Sequence, residues 1–150
     1  MNSQKKNREK GFTLIEIMVV IVIIGLMAGI VSVNVMSYLD KAKVTRAKAD
    51  IDSFRTGLKL YRLDNGTYPS NDQGLQALVT KPETGNLPRN WRKGGYLETN
   101  TIPKDPWNND YYYQSPGLSG RDFDIISYGN DNEPGGEEEN ADITSWEETQ

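Results

Sequence analysis

Two sets of residues in this chain could do chemistry, and both are carboxylates. One is Glu16, the lone acid in the apolar run FTLIEIMVVIVIIGLMAGIV. The other is the acidic, glycine-rich stretch YGNDNEPGGEEENADITSW, residues 128–146. The chain has neither Cys nor His. That removes disulfides, thiolate metal sites, cysteine nucleophiles, the commonest zinc ligand and the usual general base. A carboxylate pair alone supports glycosidase chemistry, but acids strung through glycines do not describe a rigid cleft. The chemistry left to this chain is cation binding and charge pairing, and the residues argue against an enzyme.

The acidic end has three readings. From Arg121 onward there are ten acids and one base, so a solvated acidic tail is the plain reading. An EF-hand starting at Asp131 puts Gly136 and Asp142 where such a loop wants them. It fails because Gly135 occupies the fifth position, the last ligand is not Glu, and no flanking helices are expected. A calcium loop of another kind stays open beside the solvated tail. Calcium takes six to eight oxygens, mixing carboxylates with carbonyls from a sharply turning backbone, and Gly129, Pro134, Gly135 and Gly136 permit such a turn.

The carboxylate at Glu16 has to be judged against the element that holds it. Phe12 to Met36 is an apolar stretch of 25 residues, about 37 Å as a helix, enough to cross a hydrocarbon core of about 30 Å. It is too long for the core of a cleaved secretory signal and lacks a small-x-small site after it. Orientation is tied on charge: Lys5, Lys6, Arg8 and Lys10 precede the run, and Lys41, Lys43, Arg46 and Lys48 follow it. An acid at the centre of a span costs about 3 kcal/mol, less near the interface. Glu16 either stays wet at the lipid edge or meets a cation at its own depth. Lys10 could serve in cis. Cleavage after Gly11 would supply another cation, the α-amino group of Phe12. Glu16 lies four residues on, about 6 Å along a helix, so a neighbouring copy shifted by about one turn could bring its amine to the acid.

Beyond the run, Ala47, Ile51, Phe54, Leu58 and Tyr61 are spaced 4-3-4-3 and predict one apolar helical stripe packed on its own domain. Asp64-Asn65-Gly66 supplies a stop. The first proline is Pro69, so Phe12 to Asp64 reads as one helix of about 80 Å. Ser70 and Gln73 have capping-box spacing for a short helix ending near Val79. Residues 81–106 are loop-rich, and DYYYQ and FDIISY read as strands joined by SPGLSGRD. Two or three short antiparallel strands against the long helix make an α+β head.

KGFTLIEIMVVIVIIGLMAGI resembles the class III leader of type IV pilins and type II secretion pseudopilins: a short basic leader, Gly before the cut, Phe first in the mature chain, Glu four residues on. YPSNDQGLQALV, GGYL, DPWNNDYYYQSPG and FDIISYGND then come one after another as in the major pseudopilins of type II secretion systems, whereas ordinary pilins close the head with a disulfide. The family's mid-span proline is replaced here by Val33.

The resemblance implies a pilin-like fold divided into a leader over 1–11, a transmembrane and filament-core helix over 12–36, and a periplasmic head over 37–150. It implies that a prepilin peptidase cuts between Gly11 and Phe12 and N-methylates Phe12, and that Glu16 pairs with a neighbour's N-terminus during assembly. It also implies one structural calcium, with side-chain oxygens from Asp131 and Asp142, carbonyls from Tyr128 and Glu133, and Asn140 as a further candidate. Ile143 and Trp146 would pack the closed loop onto the head. The implied role is a homopolymeric periplasmic filament rooted in the inner membrane that helps export folded proteins. Its implied partners are minor pseudopilins, the secretion platform and its motor ATPase. A type IV pilus subunit and a monomeric tethered calcium-dependent domain are the rival expectations.

Overall fold

The computed structural model describes residues 11–147, without the side chains of residues 30–37 and Glu139. The basic leader expected before Gly11 lies outside the described residues. So do the side chains at the C-terminal end of the expected span, Val33 among them.

Helix α1 runs from Leu14 to Asn65, close to the expected Phe12–Asp64. Thr13 starts it: Thr13 N–H donates to Glu16 Oε2 (3.4 Å) and Glu16 N–H to Thr13 Oγ1 (3.3 Å), the reciprocal pattern of a capping box. It stops at Asn65-Gly66, where Gly66 N–H donates to the Arg62 carbonyl at 2.7 Å.

The chain divides into two compact units, Met1–Leu39 and Asp40–Gln150. In the first, every described side chain from Leu14 to Gly29 is exposed. Among the described residues no helix is long and apolar enough to cross a membrane; the described apolar side chains end at Gly29.

The second unit is the head. Ala47, Ile51, Phe54, Leu58 and Tyr61 are all buried, so the 4-3-4-3 stripe is the helix's contribution to the core. Opposite it lies a three-stranded antiparallel sheet of order β1-β2-β3: β1 Tyr112–Gln114, β2 Asp124–Ser127 and β3 Ile143–Thr144. Tyr112 pairs with Ile126, and Ser127 with Ile143. Tyr111, Tyr113, Ile125 and Ile143 complete the core, and the Phe54 and Tyr111 rings meet edge to face at 5.0 Å. The architecture is the expected α+β one.

The Ser70–Gln73 capping box forms in both directions, at 3.1 and 3.3 Å. The expected short α-helix does not form after it, however. A turn leads instead to a 3₁₀ segment, Leu75–Leu78, because Leu75, Ala77 and Leu78 must all reach the core within four residues.

Candidate functional site

The N-terminal candidates sit together at the start of α1. Gly11 and Phe12 precede the helix, and Phe12 is 80% exposed. Glu16 is exposed on the first turn, one carboxylate oxygen facing the Thr13 amide. The spacing T-x-x-E was legible as a cap, and reading Glu16 only as an assembly residue missed it. Around it, Leu14, Ile15, Ile17, Met18 and the residues up to Met27 present apolar surface on every side. A helix apolar all round belongs inside lipid or among other helices.

The acidic loop leaves β2 at Tyr128 and returns to β3 at Ile143. Its backbone turns through five left-handed residues, Gly129, Asn132, Gly135, Gly136 and Glu138. Gly136 cannot be replaced freely: at φ +96 an added Cβ would lie 2.5 Å from the Asn140 carbonyl oxygen. Asp131 Oδ1 accepts from Glu133 N–H at 3.2 Å, and Asp142 Oδ2 accepts from Gly135 N–H at 3.0 Å. Asn130 Nδ2 donates to Asn140 Oδ1 at 3.4 Å. Asp142 thus closes the loop onto its glycine turn.

Among the described residues no three acids gather into a metal-binding group, so any cation here takes a mixed shell rather than an acidic cage. One buried carboxylate oxygen of the loop stands without a partner. Asp142 Oδ1 is buried and has no hydrogen-bond partner, and an unsatisfied buried carboxylate oxygen is costly unless a cation meets it. The ligands that the resemblance implies, Asp142, Asp131 and Asn140 by side chain and Tyr128 and Glu133 by carbonyl, would make an all-oxygen donor set. That is the chemistry a hard cation requires.

Two networks that sequence reasoning did not find hold the ends of this loop. At its entry stands Asp105, 4% exposed. Its Oδ1 accepts from the backbone N–H groups of Trp107 (3.0 Å) and Asn109 (2.7 Å), and its Oδ2 from the Ser127 hydroxyl (2.6 Å). Asn109 Nδ2 then donates to the Gly129 carbonyl at 3.0 Å. The turn DPWNND is thereby tied to the root of the acidic loop. The signal was an Asx-turn pattern, D-P-x-N, whose side chain serves the backbone two and four residues on.

At the exit, Ser145 pairs with Ile125 twice: its N–H donates to the Ile125 carbonyl (2.9 Å), and its hydroxyl accepts from Ile125 N–H (3.0 Å). Trp146 does not join the core with Ile143, as expected, but lies 37% exposed under the Arg121 guanidinium, 4.1 Å from ring centre to Cζ. The same guanidinium grips buried Asp124 through Nε and through Nη2 (3.1 Å to Oδ2). The Arg121 hydrogen bond, with the Leu118 amide, holds the Asp124 carboxyl below the usual carboxylate range, against the opposing pull of burial. Arg121 is thus already engaged by Asp124, so Trp146 docks on a cation instead of displacing apolar side chains.

Comparison with known proteins agrees with this geometry. Residues 34–146 match the family described as "Type II secretion system (T2SS), protein G", and residues 6–32 match the "Prokaryotic N-terminal methylation motif". The type II secretion system core protein G of Pseudomonas aeruginosa is 50% identical over 143 residues, covering 95% of this chain and 99% of that one. The protein of the same name from Vibrio cholerae is 48% identical, covering 95% of each. The crystal structure of the major pseudopilin from the type 2 secretion system of enterohaemorrhagic Escherichia coli aligns with a TM-score of 0.63 at 42% identity, over 75% of this chain and 94% of that one. These relatives favour a secretion filament over a surface pilus and a structural subunit over an enzyme. The chain belongs to the type II secretion system protein G family, the major pseudopilins.

Proposed function

We propose that this major pseudopilin is cut between Gly11 and Phe12 by a prepilin peptidase and N-methylated at Phe12. It is then held in the inner membrane by its apolar helix and polymerised into a periplasmic filament that helps export folded proteins. Minor pseudopilins, the inner-membrane platform and, indirectly, its ATPase are the implied partners. One observation carries the reading: a helix exposing apolar side chains on all sides from Leu14 to Met27, with a single carboxylate one turn after Phe12. Alone, that surface is unsatisfied. Packed among copies of itself it is buried, and Glu16 then needs a cation, which the Phe12 amine of the next copy supplies.

Mass spectrometry of the purified N-terminus tests the processing step, with N-methyl-phenylalanine at residue 12 the expected species. Retention of residues 1–11 in assembled filaments would overturn it. Glu16→Gln tests the pairing. Glutamine still completes a T-x-x-E/Q capping box, so the helix start survives and the charge alone is lost. Filament assembly is expected to fail, and wild-type assembly by Glu16→Gln would refute the pairing.

The acidic loop is proposed to hold one structural calcium through Asp131 and Asp142, the carbonyls of Tyr128 and Glu133, and Asn140. When bound, the ion would neutralise carboxylates that otherwise repel one another. The support is the orphaned Oδ1 of Asp142 and the all-oxygen chemistry of the proposed ligands.

A further inference from the structure

Two loops of the head carry opposite charge at separate levels of α1. Residues 81–93 hold four bases (Lys81, Arg89, Arg92 and Lys93) against the single acid Glu83. This segment is fixed at the C-terminal end of the helix. Asn90 N–H donates to Asn65 Oδ1 (2.9 Å), Arg92 Nη2 pairs with Asp64 (3.2 Å), and Trp91 Nε1 donates to the Ala77 carbonyl (2.9 Å). Gly95, at φ +83, closes it: an added Cβ would lie 2.6 Å from the Leu78 carbonyl oxygen. Arg89 and Lys93 are exposed and form no ion pair among the described residues.

The acidic loop is rooted at the other level. Tyr111 hydroxyl donates to Asp50 Oδ2 (2.9 Å), and Asn109 of the same segment holds the Gly129 carbonyl. Residues 131–142 contain six acids and no base. Asp131, Glu133, Glu137 and Glu138 are all exposed. One calcium would offset two of the six charges and leave a net negative surface. Asp50 and Asp64 are fourteen residues apart, about 21 Å along the helix.

We infer that the basic loop Arg89–Lys93 of one protomer docks on the acidic loop of a second copy displaced along the helix axis. The inference rests on the filament reading and deepens it. On copies whose stems all enter the filament in the same direction, a surface with its positive end at one helical level and its negative end at another is barred from the antiparallel two-fold pairing that would also match its charges. It pairs head to tail, and a head-to-tail contact that does not close repeats into a filament. The pinning of the basic loop matters as much as its charge, because a preordered surface loses little entropy on docking. Opposed potentials of this kind fix register and suppress wrong alignments.

The chain has no native cysteine, which makes the test clean. Lys93→Cys and Glu137→Cys are introduced into the full chain, produced with its secretion apparatus, and treated with a short thiol-reactive cross-linker. The double variant is expected to give a ladder of dimers, trimers and higher species. A mixture of the two single variants is expected to stop at dimers, and each single variant alone to give none. Filaments without a ladder in the double variant, or like-with-like cross-linking of a single variant, would overturn the contact while leaving the filament reading intact. Absence of wild-type filaments would overturn both. As a second arm, Arg89→Glu with Lys93→Glu is expected to lower filament yield about fivefold, the upper end for an exposed pair. Glu137→Lys with Glu138→Lys should restore it, and no rescue would count against the pairing.

Discussion

Replacing Asp105 by alanine should be the most damaging single change outside the apolar core, and the structure gives its size. Three donors converge on this carboxylate: two backbone amides and the Ser127 hydroxyl. Alanine leaves all three without a partner, in a site where Asp105 is 4% exposed and Ser127 fully buried. Each orphaned group costs about 1–3 kcal/mol. Trp107 and Asn109 are half-buried, so water recovers part of the loss for their amides, and a total of about 3–5 kcal/mol is expected. Against the ~5–15 kcal/mol that holds a typical domain together, that is a large fraction. At roughly 4 °C per kcal/mol for a domain of this size, Asp105→Ala should lower Tm by about 12–20 °C. Asparagine supplies the control. Its carbonyl can keep both backbone donors while its amide donates to the Ser127 oxygen, so Asp105→Asn should lose only about 1 kcal/mol. Differential scanning calorimetry of the purified chain reads both. Equal shifts for the two variants, or an alanine shift within a few degrees of wild type, would refute the network argument.

The acidic loop and its exit set three further outcomes. Calcium at a hundredfold excess over its dissociation constant should stabilise the wild-type chain by about 2.7 kcal/mol. Chelation should remove that gain, and Asp142→Ala should show no calcium-dependent Tm shift at all. Gly136→Ala, forced against the Asn140 carbonyl at a positive φ, should cost about 1–3 kcal/mol and weaken the calcium response measured by titration calorimetry. Arg121→Met should lower Tm measurably by leaving the buried Asp124 carboxylate without its cation. The pH dependence has a definite sign. Asp124 is held below its unfolded value, so its contribution is complete above the unfolded carboxylate range and is lost as pH falls through the lower folded value. Acid unfolding of Arg121→Met should therefore be less steep than that of wild type.

Much of this was legible from local chemistry. The stripe Ala47, Ile51, Phe54, Leu58, Tyr61 gives helix, face and core together, because a period of 3.6 admits one arrangement. Tyr111 and Tyr113 alternate into the core as a strand should. The third strand was harder: Ile143–Thr144 is two residues long, and only its pairing with Ser127 and Ile126 makes it a strand. Leu75–Leu78 was misjudged in type, since a capping box marks a helical start without saying how tightly the next turn winds. Asp105 and Arg121 have local partners, Trp107 and Asn109 for the one and Asp124 for the other, but they were missed because the contacts that bury or share them, with Ser127 and Trp146, are distant in sequence. That Asp105 is buried shows only when the fold brings Ser127 to it, and that Arg121 is shared only when it brings Trp146; no spacing rule carries that information.

Glu16 shows how one side chain can serve two stages without contradiction. In the isolated helix its Oε2 faces the Thr13 amide at 3.4 Å, a long contact on an exposed turn, worth little in water. The capping box needs one oxygen, and a carboxylate has two, each with more than one lone-pair site. A cation arriving at the same depth therefore need not displace the cap. Charge on the acid strengthens both interactions, since the cap accepts from an N–H at the positive end of the helix dipole. The same carboxylate that caps the helix start through Oε2 thus keeps its second oxygen outside the cap. In an apolar surround that oxygen would be expensive unless another copy's amine reached it, and on the proposed pairing this cost would make axial register between neighbouring helices a matter of about one turn rather than of free sliding.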